Sequence, residues 1–229
     1  MIFPIGDDNI NGGYKPYVAY TFLGINVIIF LYQITLGPQG IDSFLNTYGG
    51  IPAEITTGVD TYTLITSMFL HGGWMHIIGN MVFLWIFADN IEAIIGNIPF
   101  LIFYVIGGLV ASAAHIYTDT DSMVPVVGAS GAISAVMGTY LVMFPKSRIK
   151  LIFIMFFRTF HLPAFLFLGF WFAQQLFSGM GTMSSDSGGG GVAWWAHIGG
   201  FVYGVAIGFL IKHFYGHTYT VNTHDDLRA

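Results

Sequence analysis

Apolar residues in this chain fall into long runs separated by short polar breaks. Most of the runs lack the polar face that a surface helix in a water-soluble protein carries. Six of them stand out, at residues 18–36, 75–95, 99–117, 124–144, 162–177 and 192–214. A helix rises about 1.5 Å per residue, so about 20 residues cross the ~30 Å hydrocarbon layer of a bilayer. The pattern therefore predicts an all-α chain, a polytopic membrane bundle of six transmembrane helices. The fifth run is the shortest, and residues 149–160 before it are apolar enough to blur its start. Pro163 suits the first turn of a helix there, where its missing N–H costs nothing. The long connection 37–74 has apolar stretches at 44–55 and 62–70, too short or too polar to span and expected to lie in the interface. The break at 178–191 is rich in Gly and Ser, with four glycines at 188–191, and is expected to be mobile.

Composition strengthens this reading. Of the 229 residues, 55% are hydrophobic and only 8% charged, with a mean hydropathy of +0.70. A soluble domain carries about a quarter charged residues, so this chain has too little polar surface to stay dissolved. The formal charge of −5 includes no basic stripe, which argues against nucleic acid as a partner. Cysteine is absent, which removes disulfides, a thiol nucleophile and cysteine metal sites. Residues 1–14 contain no apolar core of a cleavable signal peptide.

Charge also orients the bundle. The seven basic residues are Lys15, Lys146, Arg148, Lys150, Arg158, Lys212 and Arg228, with none between 16 and 145. With six spans they all fall on one side, which the positive-inside rule makes cytoplasmic; five or seven spans would scatter them. The expected organisation is a cytoplasmic segment at 1–14, a membrane domain at 15–214 and a cytoplasmic tail at 215–229. An inner or plasma membrane is the default, because a helical bundle does not suit a bacterial outer membrane. Membrane lipid is thus a partner, while nothing in the pattern sets an oligomeric state.

Polar groups inside a bilayer are costly and need a reason. His76 and Asn80 in the second span, Ser130 in the fourth and His197 in the sixth all fall in the outer half of spans that enter from the outer face. Ala196, Gly200, Gly204 and Gly208 form a small-residue ridge at four-residue spacing, and Ser130, Ser134 and Gly138 form another. Such ridges let helix backbones approach closely, and packing them together would bring Ser130 towards His197. Taken singly, a membrane serine usually bonds to its own backbone one turn back, and a histidine can be a satisfied core residue or a proton relay. Gly128-Ala129-Ser130-Gly131, however, lies where an irregular stretch enters a helix, a setting whose free N–H groups can stabilise an oxyanion. The remaining histidines read as structural. His71 is expected to tie down the first loop, and a metal site formed by His71 and His76 lacks a third ligand at matching spacing.

Three motifs together carry a resemblance. Gly128-Ala129-Ser130-Gly131 in the fourth span, Ala196-His197-Ile198-Gly199-Gly200 in the sixth and His76-Ile77-Ile78-Gly79-Asn80 in the second resemble those of the rhomboid intramembrane serine proteases in order, spacing and span number. Asn90-Ile91-Glu92 with Gly96 looks like a further, structural feature of that family. The resemblance implies a serine endopeptidase that cuts transmembrane protein substrates near the outer leaflet, with no cofactor and no metal. Ser130 would be the nucleophile and His197 its base, and His76, Asn80 and the Ser130 N–H would stabilise the oxyanion. Gly128, Gly131, Gly199 and Gly200 would support the motif, and span five with the fifth loop would act as gate and cap. Because no Asp or Glu lies in the outer half of the even spans, a dyad without a third member is expected. Two positions depart from the family: Tyr62-Thr63 replaces a frequent Trp-Arg pair, and Ser134 replaces an aromatic that packs on the histidine in some members. The alternatives are an inactive rhomboid-like scaffold, which would typically lack the serine or the histidine, and a small transporter, which would favour repeats or broken helices. The chain retains both residues and shows neither transporter feature.

Overall fold

The computed structural model describes residues 2–8, 10, 12–183 and 192–215. The glycine run at 188–191 and most of the tail expected at 215–229 lie outside the described residues. The chain opens with strand β1 (Ile2–Gly6) and helix α1 (Tyr17–Thr35). The first long connection holds α2 (Gly37–Tyr48), α3 (Pro52–Thr56) and α4 (Thr63–Thr66). It is followed by α5 (Trp74–Ile95), α6 (Asn97–Thr118) and α7 (Ser130–Met143), then by β2 (Arg148–Phe153), β3 (Arg158–Pro163), α8 (Ala164–Met183) and α9 (Trp194–Tyr215). Helices α1, α5, α6 and α9 are long and apolar enough to cross a membrane, and α7 is apolar but shorter.

Three expected elements differ in extent, one of them α8, which runs on to Met183 through residues expected in the break at 178–191. The fourth apolar run begins at Val124, yet α7 begins only at Ser130. The preceding stretch is held extended: Gly50 and Val126 exchange both backbone hydrogen bonds at 2.9 Å, and the Gly128 N–H donates to the Ser67 carbonyl at 2.9 Å. At about 1.5 Å per residue a helix of 14 residues is shorter than the ~30 Å hydrocarbon layer. The apolar stretch at 149–160 is not the start of a span but a β-hairpin, with Arg148 paired to Pro163 and Phe153 to Arg158. Strand β1 adds on antiparallel, with Ile2 opposite Phe153, giving the order β1-β2-β3. The alternation was present in the sequence: Ile149 and Leu151 are buried, whereas Arg148 and Lys150 point away. Hydropathy over a long window averages that alternation out, and the fold is a helical bundle with a small sheet.

The helices around the site are joined by backbone proximity. A methyl group added at Gly200 would strike the Gly131 carbonyl, one at Gly204 the Ala135 carbonyl and one at Gly138 the Phe201 carbonyl. The small-residue ridges of α7 and α9 are therefore in direct contact, and Thr139 Oγ1 donates to the Gly204 carbonyl at 2.8 Å. Helix α6 backs both: the same construction at Gly131 meets Ala111, and at Gly199 it meets Ala114. The Lys212 ammonium closes one end by donating to the Val142 carbonyl at 3.1 Å.

The end that carries the basic residues is clamped by acidic and amide side chains. Helix α1 has no side-chain cap of its own. Instead the buried Glu92 carboxylate, at the end of α5, accepts the Val18 and Ala19 N–H groups at 2.8 Å each. A negative group there satisfies orphan donors and complements the helix dipole. Asn90 accepts the Ile10 N–H at 2.9 Å and donates to Asp7 at 2.9 Å. Tyr140 also donates to Asp7, and Asp8 accepts the Arg148 N–H at 2.9 Å. Residues before 15 are thus woven into the bundle through β1 and this cluster.

Two outcomes follow for the clamp. Glu92→Ala strands two buried N–H donors and is expected to lower stability by roughly 1–3 kcal/mol, read by unfolding in detergent. Burial, with Asp89 and Asp8 nearby, pushes the Asp7 carboxyl from 3.8 up to about 8 despite its bond from Tyr140. The folded state then holds a proton that the unfolded chain releases. Stability from this site is complete below pH 3.8 and is lost as pH rises through about 8. Asp7→Asn, which keeps the acceptor without the charge, should flatten the fall in unfolding temperature between about pH 4 and about pH 8; a wild-type slope in the variant would contradict this origin.

Candidate active site

Ser130 is the first residue of α7, so its N–H belongs to the helix's unpaired first turn. His197 enters from the first turn of α9. The seam between these helices brings Ser130 Oγ and His197 Nε2 to 2.8 Å. Both line a cavity of about 640 Å³ at the end of the bundle opposite the basic clamp, together with His76, Asn80, Trp171 and Val127. All four polar residues singled out in the sequence therefore face one space.

Gly128 sets the spacing between the loop and α5. Its φ is +125°, a conformation that suits glycine, and an added Cβ would stand 2.7 Å from His76 Nε2 and 3.6 Å from Asn80 Nδ2. Only a residue without a side chain lets those two nitrogens converge beside the entry to α7. The Gly72 N–H donates to His76 Nδ1 at 3.3 Å, which leaves the hydrogen on Nε2, pointing into the cavity. Asn80 Nδ2 is buried and has no hydrogen-bond partner in the protein. A free buried donor is uncommon and calls for an explanation; here it aims at the same space as His76. Of the motif glycines, Gly131 and Gly200 touch each other across the seam at the level of Ser130, whereas Gly199 faces α6.

The first loop is fastened from several sides. Gln33 of α1 donates to the His71 carbonyl at 2.6 Å and accepts its N–H at 3.4 Å. The His71 ring is fully buried and packs edge-on to His76 at 5.1 Å. Burial, and then the neighbouring His76, push His71 down to about 3, so it is neutral and contributes shape rather than charge. Among the described residues no metal-binding cluster includes this pair. Where the family resemblance expects Trp-Arg, Tyr62 donates to the Thr47 carbonyl at 3.0 Å and Thr63 to the Asp60 carbonyl at 2.7 Å. Thr66 adds a bond to the Tyr48 carbonyl at 2.7 Å.

The sequence reading missed three residues around the imidazole. Ser134, in the place of an aromatic, turns back to the Ser130 carbonyl at 2.6 Å and offers the ring nothing. Trp171 of α8 instead stacks at 5.9 Å with a 37° tilt, and Trp194 stands edge-on at 6.3 Å. Gln175, buried at 2% exposure, places Oε1 2.8 Å from His197 Nδ1. One signal could have revealed it: a glutamine inside an apolar run is itself a polar group needing a reason, and it lies four residues, one helical turn, beyond Trp171.

Comparison with known proteins agrees with this architecture. The Rhomboid domain family model matches residues 59–214, more than half the chain. The chain is similar to a putative rhomboid protease of Bacillus subtilis, YdcA, with 29% identity over 140 residues, 61% of this chain and 69% of that protein. Rhomboid protein 1, mitochondrial, of Saccharomyces cerevisiae is 27% identical over 205 residues, spanning 85% of this chain and 53% of the yeast protein. A zebrafish protein (Danio rerio), presenilin-associated rhomboid-like protein A, mitochondrial, is 29% identical over 91 residues, 39% of this chain and 24% of that protein. The chain thus covers about half of the yeast relative and a quarter of the zebrafish one. With its apolar helices and the domain match, this multi-pass integral membrane protein belongs to the rhomboid family.

Proposed function

We propose that this chain is an intramembrane serine endopeptidase that hydrolyses peptide bonds in or near transmembrane segments of other proteins. The observation that carries this reading is the 2.8 Å contact of Ser130 Oγ with His197 Nε2 inside a cavity that also holds two convergent nitrogen donors. Ser130 attacks the scissile carbonyl while its proton passes to His197 Nε2. The oxygen that becomes negative is met by His76 Nε2–H, Asn80 Nδ2–H and the Ser130 N–H. His197 then gives its proton to the departing amine, which leaves an acyl-serine. Water, deprotonated by the same nitrogen, adds to that ester, and His197 returns the proton to Ser130 Oγ as the acid leaves.

Six spans complete the proposed organisation, with α7 and α8 joining the four longer helices in a membrane domain at 15–214. The basic end faces the cytoplasm with both termini, by the positive-inside rule. The cavity then opens to the outer face, where water reaches a depth that lipid would otherwise seal. A substrate segment enters extended, because a helix keeps its carbonyls paired, so helix-weakening residues in the substrate aid cleavage.

Ser130→Ala is expected to reduce cleavage of a model transmembrane substrate in liposomes to background, a loss of about 10⁴-fold or more, with unchanged unfolding temperature. An unaltered rate would refute the assignment. His197→Ala should lose as much, and the double variant no more, because the pair acts as a unit. Asn80→Ala should lower kcat by about 10²–10³-fold with little change in KM, the pattern of a donor used only in the transition state; a change confined to KM would assign Asn80 to substrate binding.

A further inference from the structure

We propose that Gln175 is a positioning residue for His197, a neutral third member that fixes the imidazole in the tautomer able to accept the Ser130 proton. The proposal rests on the peptidase reading above and adds a residue from a third helix, α8. Its basis is a closed chain of hydrogen bonds. Gln175 Nε2 donates to the Trp171 carbonyl at 3.3 Å and to Gln174 Oε1 at 3.0 Å. Both amide hydrogens are thereby engaged, which turns Oε1 towards His197 Nδ1 at 2.8 Å. An amide oxygen only accepts, so Nδ1 carries the hydrogen and Nε2 presents its lone pair to Ser130. The opposite tautomer would set two lone pairs against each other in a site where Gln175 is 2% exposed. Flipping the amide would restore a bond to that tautomer only by giving up both of the amide's present acceptors.

The choice of an amide has its own physical reason. A carboxylate would hold the imidazolium more strongly, but a lone charge inside a membrane span is expensive. Glutamine keeps the directional acceptor without the charge. Trp171 and Gln175, one turn apart on α8, supply a wall and an acceptor from the same helix face. The competence of the base therefore depends on α8 lying against α9.

The test compares Gln175→Met, which keeps size and removes the acceptor, with Gln175→Glu, which restores one, in the full chain reconstituted in liposomes with a model transmembrane substrate. Removing the partner that orients a functional histidine typically costs about 10–100-fold. Gln175→Met is expected to lose that much in kcat with KM nearly unchanged, and Gln175→Glu to recover most of it. Nitrogen-15 spectra of histidine-labelled protein, with the His197 signals identified by their loss in His197→Ala, should show the hydrogen on Nδ1 in the wild type and mixed tautomers in Gln175→Met. Wild-type kcat in Gln175→Met, equal impairment of both variants, or a wild-type spectrum with the hydrogen on Nε2 would each overturn the proposal. The wild-type spectrum decides even if Gln175→Met fails to fold. Cleavage that survives Ser130→Ala would sink the peptidase reading instead, and the tautomer measurement stands apart from it.

Discussion

The backbone of α9 lies directly on the backbone of α7, and every other feature of the site depends on that approach. Lipid is as apolar as leucine, so helices in a membrane are not pressed together by the hydrophobic effect. Close van der Waals contact and interhelical hydrogen bonds take its place. Here Gly200 and Gly204 rest on the carbonyls of Gly131 and Ala135, and Thr139 bonds across to Gly204. No side chain could stand at those glycines without pushing the helices apart. The distance from Ser130 to His197 is one consequence of that seam, read at its end. Small residues from Gly131 to Gly208 thus set the geometry of the site from outside it.

The two ends of the bundle are built on different terms. The basic end is closed by charged and amide groups that satisfy helix termini: Glu92 caps α1, Lys212 caps α7, and Asp7 and Asp8 tie the N-terminal stretch to Asn90, Tyr140 and Arg148. The opposite end is left irregular. Residues 125–128 stay outside the helix, pinned by Gly50 and Ser67, and α7 starts late. The late start places Ser130, the first residue of α7, on the wall of the cavity. Polar backbone at membrane depth is tolerable only against protein or such a cavity.

The departures from the family's pattern are met locally. Ser134 cannot brace the imidazole, and the support comes from α8 and the start of α9, through Trp171, Gln175 and Trp194. Tyr62 and Thr63 lack a guanidinium, and the loop is held by hydroxyl bonds to backbone carbonyls. In each case the substituted side chain bonds to nearby main chain, and at the imidazole the contact comes from another element.

Long apolar runs and the one-sided placement of the basic residues were enough to indicate a helical membrane bundle, while polar residues within those runs, in motifs that resemble the rhomboid family, marked the serine, histidines and asparagine that line one cavity. These signals are legible because each lies within a single stretch of chain: hydropathy is a local sum, and a ridge of small residues is a local period. What the chain order could not supply were partners from distant stretches. Glu92 meets a helix start 74 residues away, and Gln175 meets His197 from 22 residues away on another helix. The hairpin at 148–163 was hidden for a related reason, since alternation with period two vanishes in a window sized for a span. The late start of α7 depends on Gly50 and Ser67 holding residues 126 and 128. Tertiary structure alone decided these, because a hydrogen bond requires its two groups to be in place together, and only the packed helices put them there.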